Sequence, residues 1–377
     1  MRITDIEVTT LEYGLKQPIT NAMVDTLFSR LRTYVVRMKT DECIDGLLVT
    51  DYLDDLSAGL ITDHLNPLIV GEDPMDYEHL WGKMFGHQAS WRHPITKGEV
   101  ITAMSAVDCA VWDVIGKRLN VSVCRLLGGA RTRVPCYASG GHYKSLTSLD
   151  EELRLLEEEM IRYVDMGFRA IKMRIGRDLA ADRKRVALVR KTLGPDVELL
   201  FDLNTSQTYR GGAARAIQFL RAFEEFHPYW FEDPLIMDDV AGMRRIADAI
   251  DVPIATGEME QTIWGFRDLI TQQAADILIC DPTGMCGGIT QWKKIAAMAE
   301  AARIPIASHV GDKTSVHCVA GIPNGLMVEV FLPLEVERWA YDRAPIRLVD
   351  DGTIAVPDAP GLGIELDDAY FKEHLVR

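Results

Sequence analysis

VELLFDLN at 197–204, YWFEDPL at 229–235 and PIATGE at 253–258 are apolar runs of strand length, and each carries a carboxylate near its end, at Asp202, Glu232 and Glu258. Helix-length stretches separate them. The same cycle of short strand, turn and amphipathic helix extends in both directions, with strand candidates VPCYASG from 134, AIKMRIG from 170, ADILICDP from 275, PIASHV from 305 and LMVEVF from 326. Eight such strands, with gaps of roughly 12–20 residues, predict a parallel β/α barrel. A doubly wound open sheet is the competing arrangement, because counting strands does not show closure.

Upstream of the cycle the texture is different. IEVTTLEYGL and LRTYVVRMKT read as strands, with a turn at Asp45 and Gly46, and helical spacing follows near 55–65, 76–85 and 98–118. This predicts an α+β domain ahead of the barrel. The chain has 377 residues, 47% of them hydrophobic and 26% charged, which suits a folded chain of two domains. Its formal charge of −15 argues against nucleic acid or anionic membrane as a partner. MRITDIEVTT at the start alternates like a strand and has no long apolar run, so a cytoplasmic location is expected. Seven scattered cysteines without a CxxC pair point to reduced, mostly buried thiols. The GGARTR and GGAARA stretches lack GxGxxG spacing, which excludes a nucleotide cofactor.

Catalytic groups of a β/α barrel sit at the C-terminal ends of its strands. Adjacent parallel strands lie about 4.8 Å apart, so Asp202, Glu232 and Glu258 on three successive strands would converge and repel. A hard cation resolves the conflict, and an oxygen-only set suits Mg²⁺, or Mn²⁺, better than Zn²⁺. Taken singly, each acid could instead be a salt-bridge partner or a helix N-cap. Lys172 and Arg174 share a face by their two-residue spacing, either inward, to receive an anion, or outward over helix surface. Asp281 and His309 end adjoining strands, where a carboxylate would orient an imidazole as a base; a lone His there is otherwise a core residue. Glu329, flanked by apolar residues, is a site residue or a buried salt-bridge partner.

The ordered set KxR, D, E, E, D, H, E on successive strands resembles the enolase superfamily, in its mandelate racemase branch. AMSAVDCAVWDVIGKRLNVSVCRLLGG (103–129) is similar to that family's AxDxALWDxxGK…LLGG segment, and IATGE (254–258) and CGGIT (286–290) match its barrel motifs. The resemblance implies a (β/α)7β TIM-like barrel at 129–345, an α+β capping domain with lid loops at 1–128, and a segment at 346–377 that packs back on the cap. It implies Asp202, Glu232 and Glu258 as Mg²⁺ ligands, His309 assisted by Asp281 as acid/base, and Glu329 as a protonated donor to the substrate carboxylate. The reaction it implies is removal of the proton next to a carboxylate, with Lys172 helping to stabilise the ene-diolate.

Two departures bear on the reaction. Arg174 stands where the family commonly has a second Lys, and an arginine does not lose its proton at working pH. Chemistry from one face, dehydration of an aldonate or aldarate to a 2-keto-3-deoxy acid, is therefore expected ahead of racemisation, epimerisation or cycloisomerisation; Lys172 would serve as base only with a depressed pKa. A barrel kept as a metal-binding scaffold without catalysis is the reading from another class. Secondly, GLLVTDYL (46–53) replaces the family's GxGE strand end, so the cap contacts should differ. Candidate lid residues are Asn21, Met23, Tyr52, His87, Trp91 and His93, with surface or packing roles as the alternative; Asn204 and Glu260 are candidates for contacts to substrate hydroxyls, Glu260 otherwise forming a salt bridge outside the site. The resemblance also implies a homo-oligomer, a dimer or octamer.

Overall fold

The computed structural model describes residues 1–23, 28–90, 96–144, 148–331, 341–349 and 351–376. Its first layer is an antiparallel meander of β1 (Ile3–Ile19), β2 (Phe28–Thr40) and β3 (Gly46–Thr50), with Val8 opposite Val36 and Val36 opposite Leu48. The helix Glu99–Leu119 lies against β3, and the approach is close. A Cβ on Gly46 would meet the Ala110 carbonyl oxygen at 2.2 Å and Val114 Cγ2 at 2.7 Å, so only glycine lets strand and helix touch there.

That helix is buried without interruption from Val100 to Gly116 because it runs between the meander and the barrel. A helix hydrophobic all round must bury its few polar groups with partners. Asp108 accepts from the Thr290 amide at 2.8 Å and the Thr290 hydroxyl at 2.6 Å, and Trp112 Nε1 donates to that same hydroxyl at 2.9 Å. Asp113 accepts from the amides of Leu47 at 2.7 Å and Leu362 at 2.6 Å, and pairs with Lys117 at 2.7 Å. One side chain thus joins the meander, its helix and the chain's C-terminal segment.

The second body is a parallel sheet in which neighbours follow chain order: β4 (Arg133–Ser139), β5 (Ala170–Arg174), β6 (Glu198–Asp202), β7 (Trp230–Glu232), β8 (Ile254–Thr256), β9 (Ile277–Cys280) and β10 (Ile306–Ser308). β11 (Val328–Phe331) pairs in parallel with β4, and the residues leading into it bond β10, through Leu326 N to Ile306 O at 2.7 Å and Ser308 N to Met327 O at 3.1 Å. The sheet therefore closes, which excludes the doubly wound alternative.

Closure sorts the pleat into two faces. Tyr137, Ala170, Leu200, Trp230, Ala255, Ile279 and Ala307 form a separate inner cluster, while Ile171, Leu199, Phe201, Phe231 and Leu278 belong to the outer core under the helices. After the barrel, β12 (Leu348–Val349) and β13 (Thr353–Ala355) form a hairpin against the start of β4. The chain then passes Asp113, and Val376 N bonds the Thr10 carbonyl of β1 at 2.9 Å. Among the described residues no helix is long and apolar enough to cross a membrane. All seven cysteines are free, and six of them are buried.

Replacing Asp113 with Ala would orphan two buried amides and leave Lys117 with the Asp45 carbonyl at 2.8 Å in place of its carboxylate partner. The expected cost is about 1–3 kcal/mol of unfolding free energy, read from urea denaturation. An unchanged midpoint would mean that the three-way junction contributes nothing.

Candidate active site

The two-residue period of each strand places the site. Two positions beyond the inner-cluster residues Ala170, Leu200, Trp230, Ile279 and Ala307 stand Lys172, Asp202, Glu232, Asp281 and His309, all at the open end of the barrel. Asp202 and Glu232 are in direct register on β6 and β7, and Glu258 follows β8 by two residues. Carboxylate oxygens of the three lie within 4.8 Å of one another, and all three residues are buried. Among the described residues this is the one group of acids, histidines or cysteines close enough to share an ion.

Burial and mutual repulsion disfavour the charged forms. Glu232 is pushed up to about 8, by burial first and then by Asp202, Glu258 and Glu329, with Lys172 opposing; Glu258 is pushed up to about 7, by burial and then Asp202. Trp230 Nε1 donates to Glu232 Oε2 at 2.9 Å and fixes that carboxylate. Buried, convergent, oxygen-only and short of positive charge, the triad fits a hard divalent cation.

Lys172 and Arg174 both point inward, the first fully buried and the second 4% exposed. Lys172 Nζ is 2.5 Å from Glu232 Oε1, 3.1 Å from Glu329 Oε1 and 3.6 Å from Asp202 Oδ2, and it faces the Tyr137 ring at 5.4 Å. Burial alone would lower its pKa, but Glu232, Glu329, Tyr137 and Asp202 outweigh that and hold it well above the usual ammonium range. These carboxylates include two of the three metal-ready acids, so the upward shift describes the metal-free site. Arg174 donates to Ser139 Oγ at 2.6 Å, with Nε 3.4 Å from Asp202 Oδ2 and Nη2 4.0 Å from Glu329 Oε1.

Glu329 differs from expectation as well. Burial pushes its carboxyl up, yet Lys172 first, with Arg174, outweighs burial and holds it far below the carboxylate range in the metal-free, substrate-free site. Its Oε2 accepts the Val310 amide at 2.9 Å. Val310 is a β-branched residue with φ of 47°, a strained backbone that aims this N–H at the carboxylate.

His309 is 16% exposed, with Nε2 3.2 Å from Glu258 Oε2. Its Nδ1 pairs with the hydroxyl of Tyr52, one of the expected lid residues, and not with Asp281. Asp281 Oδ1 instead accepts the amides of Thr283 at 2.6 Å and Gly284 at 3.1 Å, while its Oδ2 is buried and unpartnered. No hydrogen bond joins Asp281 to the imidazole, so the expected orienting contact is not made directly. Burial moves Asp281 up to about 6, against the pull of His309. His309 is shifted below its ordinary value, by burial first, which favours the unprotonated imidazole that can accept a proton.

The outlying candidates divide. Asn204, at φ of 44°, donates its backbone and side-chain N–H groups to Asp202 at 2.7 and 3.2 Å, leaving Oδ1 buried without a partner beside the triad. Glu260 is engaged at one oxygen: its Oε1 holds Lys97 of the cap at 2.8 Å and accepts the Gln261 amide at 2.8 Å. Asn21 Oδ1 accepts the Met23 amide at 2.9 Å, and Arg177 Nε donates to the Asn21 carbonyl at 2.9 Å. Met23 and His87 are exposed, while Trp91 and His93 lie outside the described residues. Sequence reasoning passed over Ser139, Tyr137 and Trp230, although period two on their strands points all three inward.

A closed β/α barrel with a metal-ready acid triad, an inward cation pair and a strand-end histidine defines a class of enzymes that take a proton from carbon next to a carboxylate. The chain belongs to the mandelate racemase/muconate lactonizing enzyme family of the enolase superfamily: the family's N-terminal domain model matches residues 5–128 and the enolase C-terminal domain-like model matches 155–370. An arabinonate dehydratase of Saccharolobus solfataricus is 32% identical over 82% of this chain and 81% of its own length. A 3,6-anhydro-alpha-L-galactonate cycloisomerase of Streptomyces coelicolor is 32% identical over 93% of this chain and 94% of its own. The solved structure of L-talarate dehydratase from Polaromonas sp. JS666, complexed with Mg and L-glucarate, is 31% identical, superposes with a TM-score of 0.84 and covers 100% of this chain and 98% of that one.

Two measurements probe the triad. In the unfolded chain Glu232 and Glu258 ionise near 4.5, whereas the folded, metal-free protein keeps protons on them up to about 7–8. The folded form binds more protons in that window, so metal-free stability is full below about pH 4.5 and falls as pH rises toward 8. The urea midpoint of EDTA-treated protein should drop between about pH 5 and 8 and recover with Mg²⁺ at pH 8; a flat profile would mean the triad does not hold those protons. Trp230→Phe, which removes the N–H on Glu232, should weaken Mg²⁺ binding by about 10–100-fold in calorimetry at unchanged fold.

Proposed function

We propose that this chain is a magnesium-dependent acid-sugar dehydratase, converting an aldonate or aldarate to a 2-keto-3-deoxy acid. The observation that carries the reading is Arg174: buried, tied to Ser139 and Asp202, and unable to lose its proton, it leaves His309 as the one evident base at the barrel mouth. The named activity of the arabinonate relative supports the same class.

When bound by Asp202, Glu232 and Glu258, magnesium supplies positive charge where a substrate carboxylate gains electron density. Lys172, held protonated, faces the same position and donates to a carboxylate oxygen. Glu329, ionised in the structure, is driven upward by an approaching substrate carboxylate, which moves it toward the protonated form that can donate. His309 removes the α-proton, the electron pair passes into the carboxylate as an ene-diolate, and the imidazolium returns a proton to the departing β-hydroxyl. Water leaves, and the enol product tautomerises to the 2-keto acid. Asn204 Oδ1, buried without a partner, is placed to accept a substrate hydroxyl.

Cycloisomerisation is the second reading, favoured by the cycloisomerase relative that covers most of the chain. It too works from one base, whereas racemisation needs a base on each face. A panel of aldonates, aldarates and their lactones separates these outcomes. Dehydration gives a semicarbazide-reactive keto acid with loss of one water by mass spectrometry, and cycloisomerisation leaves mass unchanged. His309→Asn should lower kcat by about 10²–10⁴-fold while leaving Mg²⁺ binding in place. Turnover unchanged in that variant removes His309 from the mechanism, and Mg²⁺ binding with no α-proton exchange on any acid in the wild type points to a scaffold.

A further inference from the structure

Three residues past Ser139, the loop after β4 carries an imidazole with no assigned role. His142 is 6% exposed, its Nδ1 is buried without a partner, and among the described residues neither ring nitrogen has a hydrogen bond. Its ring stands edge-on to Phe331 at 5.2 Å, and the Arg174 guanidinium lies over the same Phe331 ring at 5.7 Å. The charges that act on it are Arg174, Glu329, Lys172 and Arg185, three of them at the barrel mouth. Burial first, and then Arg174, keeps it neutral.

A packed core histidine does not look like this. His317, fully buried in the same chain, satisfies both nitrogens, with the Cys124 amide on Nδ1 at 3.2 Å and the Leu362 carbonyl near Nε2 at 3.2 Å. Burying an imidazole without partners costs free energy, so such a group points to a ligand that completes it. The backbone around His142 is also fixed more firmly than a loop requires. Glu159 accepts the Gly141 amide at 2.8 Å, Arg185 donates to the Gly141 carbonyl at 2.6 Å, and Tyr143 exchanges backbone bonds with Thr20 of the cap at 3.1 and 3.2 Å. Glu159 is itself held by Lys144 at 2.9 Å and Tyr163 at 2.6 Å.

We propose that His142 is a specificity-determining residue that hydrogen-bonds one hydroxyl on the carbon chain of the acid substrate. Lys172 and Arg174 only donate, and match carboxylate oxygens. A neutral imidazole offers one donor and one acceptor, which is the complement of an alcohol. The proposal rests on the acid-sugar reading above and assigns His142 no proton transfer.

The test crosses two deletions, the side chain and the hydroxyl. Wild type, His142→Phe and His142→Gln are assayed with Mg²⁺ on the best aldonate and on its monodeoxy analogues. In the wild type, removing one particular hydroxyl should cost roughly tenfold to a hundredfold in kcat/KM. In His142→Phe the same removal should cost under about twofold, with His142→Gln between, and with a urea midpoint for the Phe variant no lower than wild type. Additive losses at every position, or variants that match wild type throughout, would overturn the proposal while leaving the dehydratase reading intact. A wild type inactive on every acid sinks that reading instead, and the same cycle is then scored on Mg²⁺-dependent binding of the acids by calorimetry, where additivity again overturns the role of His142. Should the Phe variant fail to fold, the Gln variant alone must show reduced discrimination at a single hydroxyl.

Discussion

Repulsion among buried carboxylates organises this protein. Asp202, Glu232, Glu258 and Glu329 are gathered at one end of a closed sheet, where water is excluded and each anion raises the cost of the next. Two buried cations offset part of that cost, and the balance between them is uneven. Lys172 and Arg174 together pull Glu329 far down, whereas burial and the neighbouring acids leave Glu232 and Glu258 high even though Lys172 touches Glu232. The uncompensated side is the one where three oxygens converge. A divalent ion there completes the charge balance, and the surrounding shell, with Trp230 on Glu232 and Asn204 on Asp202, already holds the ligands in place.

Much of this was legible in one dimension because a strand repeats every two residues. Once Leu200, Trp230 and Ile279 are taken as inward, the side chains two positions further must enter the mouth, and Asp202, Glu232 and Asp281 follow. The same arithmetic brings in Lys172 and His309. Closure was not legible, since it depends on Leu326 and Met327 reaching β10 across a seam that no spacing announces. Relative inward position was likewise available for Ser139 and Tyr137, but nothing in the chemistry of a Ser or Tyr singled them out before Arg174 and Lys172 were found against them.

Partner choice was least legible, because it is settled by residues far apart in the chain. Asp281 and His309 share adjoining strands, yet the Thr283 and Gly284 amides take the carboxylate and Tyr52, 257 residues from His309, takes the imidazole. Glu260 reads from sequence either as a hydroxyl contact or as a salt-bridge partner, and the cap brings Lys97 to it. Protonation of Glu329 was inferred from what catalysis requires, whereas the substrate-free site, rich in cations on that side, holds it ionised.

These exceptions have a common origin, since each except Glu329 involves the loop regions or the cap and not the strands alone. Cap and barrel are joined by buried bonds from Thr290 to Asp108 and from Trp81 to the Gly287 carbonyl, and by the partly exposed pair Lys97–Glu260. The same interface delivers Tyr52 to His309 and Thr20 to the loop that carries His142. Proton abstraction is therefore built on rigid strand ends that change little with surface sequence, while the groups that meet the rest of the substrate depend on where the cap docks. A departure such as GLLVTDYL on β3 can then alter which acid is accepted without touching the triad, because it acts on the docking and the lid and not on the strands that hold the charge.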